Sequence, residues 1–213
     1  MKLVFPSVYA IMDAVLLKTS ELAFAEMMAK SGVELIQYRN KQAASGTLFQ
    51  VSQSLVTLLN GRGVRVIVND RPDIAALAGA GGTHVGQEDL GVEEARAICG
   101  AGCWVGVSTH TLEQVAQADR TSADYVAVGP IFPTRTKEKP DAVVGVDFIR
   151  QARGLTRKPL VAIGGITLER AGEIFRAGAD SIAMGRDLVC AADPAARARQ
   201  FLGVAVQAST EAR

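Results

Sequence analysis

Two aspartates and three cations carry the plainest chemistry in this chain. Asp70 ends the segment Val68-Asn69-Asp70-Arg71, and Asp89 ends His84-Val85-Gly86-Gln87-Glu88-Asp89. Each closes a short apolar run. If those runs are neighbouring strands, about 4.8 Å apart, both carboxylates can reach one point. Two carboxylates, with waters and phosphate oxygens completing an octahedron, is the usual way to hold Mg²⁺. Helix capping is the ordinary alternative, since Asp70 stands just before Pro72 and Asp89 just before a helical pattern. The cations are Arg39, Lys41 and Lys137. Arginine offers a two-pronged fork for phosphate, and lysine a compact charge. Acids and cations gathered on one rim suit a metal-bound diphosphate; a solvated charged rim is the plainer reading.

A second constellation is glycine-rich. Gly164-Gly165 and Gly185-Arg186 each follow a short apolar run. Glycine lets backbone N–H groups approach phosphate oxygens, and a helix start adds its dipole. A tight turn would need the same residues. The two histidines, His84 and His110, are assigned no role; His84 reads as a packed strand residue, and His110 opens a helix where it can line a pocket. No Ser–His–acid set and no activated cysteine stands out. Cys99, Cys103 and Cys190 are an odd number without a secretory signal, and read as reduced thiols.

The elements that must position these residues alternate regularly. Apolar, β-branched runs at 7–13, 33–40, 65–70, 82–87, 103–109, 123–130, 159–164 and 181–185 read as eight strands. Helical patterns follow at 20–31, 47–61, 73–79, 92–99, 112–120, 147–153, 168–177 and 194–208. Gly32, Gly61, Gly79 and Gly178 stand where helices end, and Thr19 or Ser20, Thr111 and Thr167 where they begin. Eight strand–helix units give one domain over residues 1–213, a (β/α)8 TIM barrel, with residues 209–213 frayed. A doubly wound sheet would place a Gly-x-Gly-x-x-Gly turn after the first strand, and none follows Met12-Asp13-Ala14. In such barrels function collects at the carboxyl ends of the strands. There stand Asp13, residues 37–41, 69–71, 86–89 and 108–110, 164–165 and 185–186. The connection from 132 to about 145 carries Pro133, Pro140 and Lys137, and its length suits a lid.

Composition excludes other classes. Lys and Arg number 23 against 22 Asp and Glu, which leaves no electrostatic footprint for nucleic acid or an anionic membrane. No apolar run reaches membrane-span length, and the start lacks the long apolar stretch of a signal peptide. A cytoplasmic protein acting on small molecules is expected; a homo-oligomer is compatible with the sequence.

Taken in order, Gln37-Tyr38-Arg39-Asn40-Lys41, Val68-Asn69-Asp70-Arg71, His84 to Asp89, Gly106-Val107-Ser108-Thr109-His110, Asp124-Tyr125-Val126, Gly129-Pro130-Ile131-Phe132, Thr134-Arg135-Thr136-Lys137 and Ala162-Ile163-Gly164-Gly165-Ile166 resemble the thiamine-phosphate synthase family. The resemblance implies that a hydroxymethylpyrimidine diphosphate is joined to a thiazole phosphate, plain or carboxylated, with release of pyrophosphate. It implies that Gln37, Tyr38, Arg39, Asn40, Lys41, Asn69, Ser108 and Lys137 bind the pyrimidine diphosphate, with Arg39, Lys41 and Lys137 catalytic. Asp70 and Asp89 would hold Mg²⁺. Thr134, Arg135, Thr136, Gly165, Gly185 and Arg186 would hold the thiazole phosphate. Three positions depart from the family pattern: Asn40 replaces an acid, Met12 a threonine, and Gly185-Arg186 a Val-Ser pair. A related thiazole tautomerase or a non-catalytic thiazole-phosphate binder would not need the two acids, and a sugar-phosphate epimerase would not need the Thr-Arg-Thr-Lys segment.

Overall fold

A computed structural model describes residues 5–134 and 142–211 of the chain. Eight strands alternate with helices in the order β1 (Val8–Asp13), α1 (Glu21–Lys30), β2 (Leu35–Arg39), α2 (Ser45–Leu59), β3 (Arg65–Asn69), α3 (Pro72–Ala78), β4 (Gly82–Val85), α4 (Val92–Cys99), β5 (Trp104–Thr109), α5 (Leu112–Asp119), β6 (Tyr125–Val128), α6 (Val146–Leu155), β7 (Leu160–Ile163), α7 (Leu168–Arg176), β8 (Ser181–Met184), α8 (Arg186–Val189) and α9 (Pro194–Glu211). Each strand pairs in parallel with the next, and β8 returns to β1, closing the barrel. This is the expected (β/α)8 barrel.

Alternation along each strand sorts the side chains into two cores. Val8, Ala10 and Met12, Ile36 and Tyr38, Val66 and Val68, and Ile182 and Met184 face the helices. Tyr9 and Ile11, Leu35, Ile67, Tyr125 and Ala127, Val161 and Ala183 fill the barrel itself, with Phe5 and Trp104 packed beneath. Strands buried on both faces need apolar residues at nearly every position, which is why they read as continuous runs.

The observed elements differ from the expected ones chiefly at their ends. β6 stops at Val128, short of Pro130, which has no N–H to give a ladder. It starts after Asp124, whose Oδ2 accepts from Val105 N at 2.7 Å. α1 is capped by Ser20, which accepts from Ala23 N, and α5 carries a full capping box between Thr111 and Gln114. Thr167, expected to cap α7, makes no such bond. α9 runs to Glu211, into the segment expected to fray, where Ser209 and Thr210 hydroxyls donate to Ala205 and Val206 carbonyls at 2.9 and 3.0 Å. Two short elements carry too few residues to show a period: a 3₁₀ turn at Ala14–Leu16 and α8.

The amino-terminal end of the barrel is tied by partly exposed charge. Arg96 reaches Asp124, and Arg153 reaches Asp180, whose Oδ2 also accepts from Leu160 N at 2.8 Å. Lys158 Nζ donates to Ala123 O at 2.7 Å. These groups join helices to strand starts, far from the opposite rim, and read as stability.

Candidate active site

The carboxyl ends of the strands open onto a cavity of about 510 Å³. Its floor is Tyr9, His84 and Ala127; its walls include Gln37, Arg39, Asn69 and Ser108 on one side and Gly164, Gly165, Gly185 and Arg186 on the other. The inward parity of β2, β3 and β5 sets Gln37, Arg39, Asn69 and Ser108 there, each two residues beyond an inward core position or a glycine.

Arg39 is held by Asp13. The two are register partners across β1 and β2 and form an ion pair in which Asp13 is almost wholly buried. The guanidinium is therefore fixed against the cavity wall before any ligand arrives. Lys41 lies further out, with Nζ 2.9 Å from Asp70 Oδ2 and over half its side chain in solvent. Such an exposed pair is weak, which leaves Lys41 free to turn to a bound anion.

Asp70 has φ of 59°, a left-handed conformation in which aspartate is tolerated, and its N–H donates to His84 O at 2.8 Å. This turn sets Asp70 beside Asp89. Asp89 Oδ2 accepts from Gly86 N at 2.8 Å. Partial desolvation raises the Asp89 carboxyl above its ordinary range, the Gly86 N–H opposes this, and the charge of Asp70 raises it further. Two oxygen donors that repel one another at an open rim fit a hard divalent cation. No group of three or more His, Cys, Asp or Glu is assembled among the described residues, so water and ligand oxygens would complete the coordination.

The opposite wall is backbone. Gly164 and Gly165 have φ of 101° and 62°. A Cβ on Gly165 would lie 2.5 Å from Pro133 O and 2.8 Å from Phe132 O, so only glycine fits this turn. Gly185 precedes α8, and the exposed Arg186 lines the same wall. Arg170, which sequence reasoning passed over, lies 4.3 Å above the Phe132 ring and also lines the cavity. Asp187 borders it too; burial raises its carboxyl, which Arg197 at 3.6 Å partly offsets.

The structure gathers Gln37, Arg39, Asn69, Ser108, Thr134, Gly165, Gly185 and Arg186 around the cavity. Lys41, Asp70 and Asp89 stand on the adjoining rim. Tyr38 is not brought there: its side chain points away from the barrel and is fully buried against the helices, as its even position in β2 requires. Asn40 shapes the loop, with Oδ1 accepting from Gln42 N and Ala43 N at 3.2 and 3.0 Å. Arg135, Thr136 and Lys137, and with them residues 135–141 of the expected lid, lie outside the described residues. His84, read as a packed strand residue, is packed, yet it also faces the cavity and bonds Ser108. His110 lines the cavity, as expected. Asp13 was legible as a polar strand end but without its partner Arg39; Tyr9 and Tyr125 were given no role of their own, and their inward parity was the available signal.

A sequence model of the family described as thiamine monophosphate synthase matches residues 8–188. The chain is 46% identical over 204 residues to a thiamine-phosphate synthase of Koribacter versatilis (strain Ellin345), covering 93% of this chain and 95% of that one. It is 38% identical to a thiamine-phosphate synthase of Methanospirillum hungatei, covering 91% and 94%. The solved thiamine phosphate pyrophosphorylase of Pyrococcus furiosus superposes with a TM-score of 0.86 at 28% identity, covering 95% and 96%. By sequence over nearly its whole length and by fold, the chain belongs to the thiamine monophosphate synthase family, a family of transferases.

Proposed function

We propose that the protein joins 4-amino-2-methyl-5-hydroxymethylpyrimidine diphosphate to a thiazole phosphate, plain or carboxylated, and releases pyrophosphate. The observation that carries this reading is the meeting of Arg39, Lys41, Asp70 and Asp89 on one rim, across the cavity from the Gly164–Gly165 turn and Gly185–Arg186. One wall suits a metal-bound diphosphate, the other a single phosphate.

Asp70 and Asp89 would hold Mg²⁺, which when bound neutralises charge on the departing pyrophosphate. Arg39 and Lys41, with Lys137 from the undescribed segment, place positive charge where negative charge develops as the carbon–oxygen bond breaks. Gln37, Asn69 and Ser108 orient the pyrimidine and its diphosphate; Asn40 supports this group through the loop it shapes. An electron-rich aminopyrimidine stabilises a cationic methylene, so a dissociative path needs no protein nucleophile. Gly165 and Gly185 N–H groups with Arg186, and Thr134 to Thr136, anchor the thiazole phosphate so that its ring nitrogen faces that methylene. A transferase working on phosphorylated metabolites belongs with them in the cytoplasm.

The test is direct. Purified protein, both substrates and Mg²⁺ should give thiamine phosphate and pyrophosphate in equal amounts. Folded protein that forms neither product would overturn the reading.

A further inference from the structure

Five polar side chains form one line of hydrogen bonds across the inside of the barrel, and the proposed reaction uses only its two ends. Gln37 Nε2 donates to Tyr9 Oη at 2.7 Å. Tyr9 Oη lies 2.9 Å from Tyr125 Oη. His84 Nδ1 lies 3.0 Å from Tyr125 Oη, and His84 Nε2 lies 2.9 Å from Ser108 Oγ. Gln37, Tyr9, His84 and Tyr125 are each at most 7% exposed, so each polar group relies chiefly on its protein partner.

Each hydroxyl owns one proton, and a neutral imidazole owns one N–H, so the first bond sets the direction of the rest. Tyr9 accepts from Gln37, and among the described residues the acceptor in reach of its own proton is Tyr125 Oη. Tyr125 must then give its proton to His84 Nδ1. An accepting Nδ1 puts the imidazole proton on Nε2, where it goes to Ser108 Oγ. The Ser108 proton is left, and Ser108 lines the cavity. We infer that Gln37, Tyr9, Tyr125 and His84 form a one-way donor relay that holds His84 as its Nε2–H tautomer and so presents Ser108 to the cavity as a hydrogen-bond donor. Such a donor selects a group that only accepts, a phosphate oxygen or an unprotonated ring nitrogen. Run in reverse, the line would need the Gln37 carbonyl on Tyr9 and would present Ser108 as an acceptor, which a phosphate oxygen cannot use.

Two further features support the relay. Burial makes both phenols harder to ionise, so neither loses the proton that sets the direction. Gly106 gives Tyr125 its place: a Cβ there would lie 2.0 Å from Tyr125 Cζ and 2.4 Å from its Oη. Gly106→Ala therefore displaces the middle of the relay without altering any of its polar groups.

The tautomer is measurable by nitrogen NMR on protein labelled at the histidine rings, without substrate. The chain has only two histidines, and they should be opposite. His110 Nδ1 lies 2.5 Å from Gly129 O, and a carbonyl only accepts, so His110 carries its proton on Nδ1. Wild type at neutral pH should show one Nδ1–H ring, lost in His110→Gln, and one Nε2–H ring, His84. A His84 proton on Nδ1, or on both nitrogens, overturns the relay. Tyr125→Phe and Gly106→Ala should each turn His84 into a mixture of tautomers; an unchanged pure Nε2–H signal in either folded variant also overturns it. The effect on substrate rests on the proposed function. Ser108→Ala should raise KM for the pyrimidine diphosphate roughly tenfold or more, and Tyr125→Phe added to Ser108→Ala should raise it no further. Multiplying effects would overturn the relay's action through Ser108. Protein with the expected tautomers but no thiamine phosphate product keeps the relay and loses the function, whereas product with the wrong tautomer does the reverse.

Discussion

Asp13 and Arg39 face one another as register partners on β1 and β2, and their ion pair fixes a guanidinium on the cavity wall. Asp13 is 3% exposed, so Arg39 takes the place of water around it. Arg39→Ala should destabilise the fold by about 3 kcal/mol, because it strands a buried carboxylate. Urea unfolding measures this. Asp13→Asn keeps the shape and removes the charge that holds Arg39. It should lower kcat/KM for the pyrimidine diphosphate roughly tenfold or more. Unchanged kinetics would mean that Arg39 is positioned without Asp13.

The two rim acids should control metal dependence. Asp70→Asn and Asp89→Asn should each cut turnover at limiting Mg²⁺ by roughly a hundredfold, with partial recovery at high Mg²⁺. Turnover against Mg²⁺ concentration measures this, and chelation of the wild type should abolish activity. Full activity in Asp89→Asn at low Mg²⁺ would remove that residue from the metal site.

On the opposite wall the two substrates should separate. Arg186→Ala should raise KM for the thiazole phosphate by roughly tenfold and leave that for the pyrimidine diphosphate nearly unchanged. Gly165→Ala should act in the same direction and also destabilise the chain by roughly 1–3 kcal/mol, since its φ of 62° and the nearby Pro133 and Phe132 carbonyls admit no Cβ. Steady-state kinetics with each substrate varied in turn will show the split. Equal shifts in both KM values would argue against a separate thiazole-phosphate wall.

Asp187 should make stability depend on pH. Its folded-state value is raised, so the folded chain keeps a proton that the unfolded chain has released. Stability from this group therefore falls as pH rises from the ordinary carboxylate range, about 4, through the raised value, and the cost is complete above it. Asp187→Asn should flatten that decline and raise stability at neutral pH by under ~1 kcal/mol. Urea midpoints measured across this range in both proteins give the comparison; parallel curves would assign the decline elsewhere.

Strand number, barrel closure and the polar rim were legible in the sequence because parallel strands buried on both faces leave long apolar runs and push function to their ends. Arg39, Asn69, Asp70, Asp89 and Ser108 lie at those ends, where the sequence puts them. Tyr38 was misplaced: neighbours along a strand point to opposite sides, and adjacency to Gln37 and Arg39 in sequence puts its ring among the helices. Tyr125 and His84 were hidden for the converse reason. Their partners Tyr9 and Ser108 stand 116 and 24 residues away, and only barrel closure and strand register bring them together. The Thr167 cap failed because its side chain bonds the Glu169 carboxylate instead of a backbone N–H, a competition that residue type does not settle.

Phe5 stacks on Trp104 with centroids 5.4 Å apart and leans on Tyr125 at 4.8 Å, while the Arg65 guanidinium lies 3.9 Å from the Trp104 ring centroid. Among the described residues this stopper seals the barrel beneath the cavity floor. The site is a well that opens at the carboxyl ends of the strands, and the two ligands of the proposed reaction would share that opening. Under the proposed function, a ligand resting on the Tyr9–His84 floor would arrive before its companion, and the two would leave joined. Pulse–chase trapping should therefore capture a pre-bound pyrimidine diphosphate once the thiazole phosphate is added, and a two-ring product must lift clear before the next pyrimidine descends. Under the proposed function, turnover in such a vessel would be governed by queueing as well as by bond breaking.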